Sequence, residues 1–168
     1  TANNDARTYG AVNPAFSVSY SGLVNGDSAT VVTGLALGTT ATPASNVGNY
    51  PITPSNGVAA NYTITNVPGT LTVNRAPLTI AADNQSKVYG AVLPTFTATY
   101  SGFMNGDTSS VVTGLTLIPT ATAASGVGTS AITAANGSAS NYTITHTPGT
   151  LTITPAALTI TADNKTKV

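Results

Sequence analysis

The chain has 168 residues, 41% of them hydrophobic, which is enough for one or two small packed domains. Only 6% are charged, with five acids, all Asp, five Lys plus Arg, one His and zero net charge. That balance excludes the basic footprint of nucleic-acid binding and steering toward an anionic membrane, and the absence of Cys excludes a disulfide framework and thiolate metal sites.

The missing charge is replaced by Thr, Ser, Asn, Gly and Ala, a composition that suits an extracellular, cell-surface or secreted setting. No apolar run approaches the ~18 residues of a membrane span. No signal peptide opens the chain, and the sequence starts in mid-pattern, so it reads as a piece of a longer protein.

The pattern is written twice with a constant step of 80: Tyr9 matches Tyr89, Tyr20 matches Tyr100, Asn61 matches Asn141 and Leu71 matches Leu151. ADNQSKV at 82–88 returns as ADNKTKV at 162–168. The expected domains are therefore 1–77, lacking its first strand residues, and 78–157, with 158–168 opening a third copy. Such a period is too long for a solenoid repeat and fits small domains in series, elongated end to end.

In chain order, Asn25-Gly26 reads as a turn. Asp27 follows as a helix N-cap, accepting from the orphan N–H groups of the first turn, and Gly34 closes the helix. Val31 and Val32 are expected to face inward. Asp107, Gly114, Val111 and Val112 repeat the arrangement. A calcium-ligand reading of the aspartates is weak, since calcium sites gather several carboxylates or carbonyls, and no base or nucleophile recurs beside them. Asn56-Gly57 and Asn136-Gly137 mark another turn. NYTITHT at 141–147 and GTLTIT at 149–154, separated by Pro148-Gly149, alternate apolar residues with Thr as half-buried strands do, and so does FTATYSG at 96–102. These signals give about six short strands per copy.

Strand 70–74 leads into the junction Arg75-Ala76-Pro77 and then straight into another strand. Pro77 marks the handover, because proline cannot donate to a ladder. A linker that is itself strand limits bending, and a neighbouring copy is the expected partner at each junction. The segment 158–163 is a spare strand. The first copy lacks the residues matching Leu78-Thr79-Ile80, so head-to-tail strand exchange through 158–163 is expected. The fold class is mostly β with one short helix per domain; a β-grasp-like sheet and an Ig-like sandwich both accommodate the strands, and the helix favours the former.

Tyr9-Gly10-Ala11, Tyr89-Gly90-Ala91, the YSG…NGD…VVTGL block at 20–35 and 100–115, the NYTI strand and the closing GTLT strand resemble the MBG domain of YGX type, and the block is similar to that of the related YDG domain. The resemblance spans essentially the whole chain. It implies tandem stalk or spacer modules of large bacterial surface or secreted adhesin-like proteins, whose ligand would sit at a distal domain, and it brings no catalytic residues.

No enzyme, cofactor or metal site is expected. His146 stands alone and is replaced by Asn66 in the first copy, so it reads as a surface variant. N-glycosylation matches at Asn61, Asn84, Asn141 and Asn164 read as chance in a Thr- and Asn-rich chain. Arg7, Lys87 and Lys167 share one repeat position and are expected to pair with an acid; an isopeptide bond common to both copies is disfavoured, because no Lys precedes Lys87. Tyr20, Tyr62, Tyr100 and Tyr142 are expected in the core. Tyr50 has no counterpart and is singled out as an exposed contact for the alternative reading, an adhesive module that binds host glycan or protein.

Overall fold

A computed structural model describes residues 1–167; Val168, the last residue of the third-copy segment, lies outside the described residues. The architecture is mostly β. In chain order the strands are β1 (Asp5–Thr8), β2 (Ala36–Gly38), β3 (Gly48–Ser55), β4 (Gly69–Asn74), β5 (Ala76–Ala82) and β6 (Gln85–Val88), then β7 (Ala98–Ser101), β8 (Thr113–Pro119), β9 (Gly128–Ser138), β10 (Tyr142–Thr147) and β11 (Gly149–Thr154).

Two four-stranded sheets have matching orders, β1-β4-β3-β2 and β6-β11-β9-β8. In each, the closing GTLT strand is central. β4 runs parallel to β1 and antiparallel to β3, and β11 runs parallel to β6 and antiparallel to β9. The alternation read from the sequence decides the faces. Gly149, Leu151 and Ile153 are buried along β11 while the three Thr between them are exposed. A third sheet has the order β10-β5-β7.

The cores repeat as the strands do. One gathers Ala2, Ala41, Ile52 and Leu71, with Phe16, Leu37 and Tyr50 packed against it. The other gathers Ala82, Ala121, Ile132, Ala134, Leu151 and Ile153, with Leu93, Phe96, Leu115 and Leu117. Gly149 serves this packing directly. A Cβ there would lie 2.5 Å from the Ala82 carbonyl oxygen, and one at Gly69 would lie 2.6 Å from that of Ala2.

The chain divides into two compact units that do not follow the sequence copies. One holds Thr1–Leu78, Gly102–Thr113 and Ser138–Ile144; the other holds Thr79–Ser101, Gly114–Gly137 and the chain from Thr145 onward. The first unit thus contains two segments of the second sequence copy, including its aspartate block.

The expected helices are reduced to single 3-10 turns, Ala29–Val31 and Ser109–Val111, and none of their residues is fully buried. Their N-caps are Ser28 and Thr108, so Asp27 and Asp107 cap nothing, and the C-caps are Val32 and Val112, short of Gly34 and Gly114. The physical reason is length: three residues cannot sustain an α-helical ladder. The Asn25-Gly26 and Asn105-Gly106 turns are present, with all four residues at positive φ and the Asp27 and Asp107 N–H groups closing onto the Val24 and Met104 carbonyls. No helix among the described residues is long and apolar enough to cross a membrane.

Candidate functional site

The aspartates have another task. Each turn aims its carboxylate at a tyrosine 35 residues downstream. Tyr62 Oη donates to Asp27 Oδ2 at 2.6 Å, and Tyr142 Oη donates to Asp107 Oδ2 at the same distance. The tyrosine also holds the turn from its other side, accepting the Val24 or Met104 N–H at 3.1 and 2.9 Å. A hydroxyl that donates to a carboxylate and accepts from an amide uses both its capacities, and the bond to the carboxylate is charge-assisted.

At Asp107 a second tyrosine joins. Tyr9 Oη donates to the same Oδ2 at 3.1 Å, and the Tyr9 ring meets the Tyr142 ring edge-on at a centroid distance of 5.6 Å. Phe103 meets Tyr142 edge-on from another side, at 5.8 Å. Tyr9 is buried, and Tyr142 is only 4% exposed. Tyr9 belongs to the first sequence copy and Asp107 and Tyr142 to the second, yet all three lie in the same compact unit.

Further ties surround this cluster. Asn141 Oδ1 accepts from the Val47 N–H at 3.0 Å, and Asn141 Nδ2 donates to Asn46 Oδ1 at 2.8 Å. The Ala76 N–H donates to the Asn141 carbonyl at 3.0 Å, and Arg75 Nε donates to the Ser140 carbonyl at 3.1 Å. The junction residues Arg75 and Ala76 are therefore anchored, and Pro77 sits inside β5, whose carbonyl oxygen a Cβ on Gly102 would approach to 2.5 Å. The glycine of the Tyr9-Gly10 pair is required by close approach: a Cβ there would lie 2.5 Å from Met104 Cβ.

Residues 1–72 and 78–152 each match the MBG domain of YGX type. The chain belongs to the MBG domain family. No curated protein matches it. The YGX tyrosine of the first MBG copy is thus the residue that reaches the aspartate block of the second.

Several expectations are corrected. Of the four recurring tyrosines only Tyr142 is core; Tyr62 and Tyr100 are half-buried and Tyr20 is exposed. Tyr50 is not an exposed contact, since it packs against the core of the first MBG copy and its hydroxyl donates to the Asn46 carbonyl at 2.8 Å. Arg7 and Lys87 are buried but meet no acid among the described residues. Arg7 donates to Asn13 Oδ1 and to the Thr8 and Thr42 carbonyls, and Lys87 Nζ donates to the Ala91 and Ala123 carbonyls, each at 2.8 Å. His146 is half-buried rather than a surface variant, with Nε2 shielded from solvent. Asn84 serves structure, its Oδ1 accepting from the Thr150 N–H at 2.8 Å.

No group of three or more His, Cys, Asp or Glu side chains gathers among the described residues. Asp83 is held by the hydroxyls of Thr97 and Thr99 at 2.6 and 2.7 Å, which lower its pKa. In the first copy Asn3 takes this place, its Oδ1 accepting from the Ser19 hydroxyl and its Nδ2 donating to Ser17 Oγ.

The tyrosine–aspartate pairs predict a specific pH response. Burial, and then the hydrogen bond to Asp107, pushes the Tyr142 phenol up to about 12 from an unfolded value of 10.0. The Tyr62 phenol is raised too, chiefly by Asp27. A raised phenol keeps its proton in the folded state after the unfolded chain has lost it. Its contribution to stability is full below pH 10.0 and is lost as pH rises to about 12. An absorbance titration should show a phenol that ionises after the bulk of the others, and Tyr142→Phe should remove that late step.

Proposed function

We propose that this chain is a structural stalk or spacer segment of a bacterial cell-surface or secreted protein, non-enzymatic, that projects a binding region located elsewhere. The observation that carries this reading is the Tyr9–Asp107–Tyr142 cluster. The recurring acid of an acid-poor chain is engaged by the chain's own tyrosines, one of which comes from the neighbouring MBG copy. Polar groups that fasten one repeat to the next serve an array, and Tyr50, the residue singled out for adhesion, is engaged in the same inward way.

The test is a binding measurement on the intact chain against immobilised glycans and host-cell surfaces. The expected result is no saturable retention. Saturable binding would overturn the spacer reading in favour of an adhesive one.

A further inference from the structure

A phenol that gives up an electron together with its hydroxyl proton becomes a radical. Its unpaired spin spreads onto the two Cε carbons beside the oxygen. Two such rings held side by side can join through those carbons. The reaction therefore needs two phenols in contact and a base to take the proton.

Tyr9 and Tyr142 meet both needs. Their hydroxyls donate to one atom, Asp107 Oδ2, at 3.1 and 2.6 Å. A shared acceptor places the two phenol oxygens, and the Cε carbons next to them, close together. The rings themselves meet edge to face, with centroids 5.6 Å apart and planes at 78°. Asp107 is the base within reach of both hydroxyls. It matters because burial and the bond to Asp107 push the Tyr142 phenol up to about 12. At neutral pH the electron cannot come from a phenolate, so it leaves as the proton moves to the carboxylate.

The surroundings favour joining within the molecule. Tyr9 and Tyr142 are 5% and 4% exposed, and Phe103 packs edge-on against Tyr142 at 5.8 Å. A radical formed here is shielded from the tyrosines of other molecules, and the nearest partner is the ring that shares its carboxylate. Tyr9, Asp107 and Tyr142 all belong to one compact unit.

We infer that Tyr9 and Tyr142 are an oxidative crosslinking site, where a Cε–Cε bond between the two rings makes a dityrosine that fastens the first MBG copy to the second. Two equivalents of a one-electron oxidant, of the class that peroxide-fed haem centres or photo-excited metal complexes supply, take one electron from each ring. Each oxidant is reduced by one electron. Asp107 accepts the hydroxyl proton of the ring being oxidised and passes it to water. The radicals combine at Cε, and the hydrogen on each joined carbon moves to its own oxygen, restoring two phenols. The sum is two C–H bonds exchanged for one C–C bond, with two electrons and two protons released. Asp107 acts as a positioning residue and proton acceptor and is unchanged at the end.

The crosslink would close a long loop of chain. A covalent closure of that kind restricts the unfolded state far more than the folded one, so it raises stability.

The test is photo-oxidation of the intact chain, at low concentration, by a light-activated ruthenium complex with persulfate. Exposed Tyr20 and Tyr89 can couple between molecules, so the monomer fraction is isolated and digested. The expected product is a monomer lighter by two hydrogens, with dityrosine fluorescence, a digest fragment that joins Tyr9 to Tyr142, and a raised melting temperature. Tyr9→Phe and Tyr142→Phe should each abolish that fragment, since phenylalanine has no hydroxyl to oxidise. Asp107→Asn should slow its formation, because an amide takes no proton; circular dichroism confirms that each variant is folded. A monomer without the 9–142 link would overturn the inference. So would oxidation that stops at the sulfoxide of Met104, whose side chain lies against Gly10 beside the cluster. A link formed equally fast in folded Asp107→Asn would overturn the role given to the carboxylate.

Discussion

Leu151→Ala is expected to lower the unfolding free energy by about 2–5 kcal/mol. Leu151 is fully buried at the centre of β11, with β6 on one side and β9 on the other. It packs in one cluster with Ile132, Ile153 and Ala82. Truncation removes apolar contact and leaves a void that the two flanking strands cannot close, because their registers are fixed by hydrogen bonds on both edges of β11. Leu71→Ala should cost a similar amount, since Leu71 occupies the matching place between β1 and β3. Val92→Ala, at an exposed site, should change stability by no more than about 0.5 kcal/mol. Chemical denaturation measures all three. A Leu151→Ala cost near that of Val92→Ala would mean that β11 is not the spine of its sheet.

Lys87→Met should cost about 2–4 kcal/mol. The Lys87 side chain is buried, and its ammonium ties the Ala91 carbonyl to that of Ala123. Methionine conserves much of the stem but donates nothing, so two carbonyl oxygens lose their partner at a part-buried site. The penalty is that of unmet acceptors rather than of a lost ion pair. Two outcomes separate these causes. Added salt should leave the Lys87 contribution nearly unchanged, since there is no counter-charge to screen. Lys87→Arg should recover most of the stability, because Arg7 already does the same work in the first copy, donating to two carbonyls and to Asn13.

The sequence makes the repeat, the strands 142–147 and 149–154, the turns at Asn25 and Asn105 and the passage from one strand to the next through Arg75 legible, because each rests on a local signal. The aspartates are misread for the same reason. Capping preference is a property of a few adjacent residues, whereas the tyrosine that engages Asp27 lies 35 residues away. The usable signal is the joint recurrence of Asp and Tyr at one spacing in both copies, Asp27 with Tyr62 and Asp107 with Tyr142. NYTIT at 61–65 and 141–145 shows what local reading cannot supply. Identical residues form a strand at β10, where β5 lies alongside, and none at 62–67, where it does not. Strand propensity is realised only against a partner. Arg7 and Lys87 mislead in a related way, since a buried cation suggests an acid while these two are satisfied by backbone.

The most direct test of the account is a double-mutant cycle on Asp107→Ala and Tyr142→Phe, read by chemical denaturation. If the recurring aspartate is a structural acceptor for tyrosine, the two substitutions should be coupled by about 1–2 kcal/mol, the range of a part-buried charge-assisted hydrogen bond. Additivity to within about 0.3 kcal/mol would contradict it. The aspartate would then have a task that the tyrosine does not share.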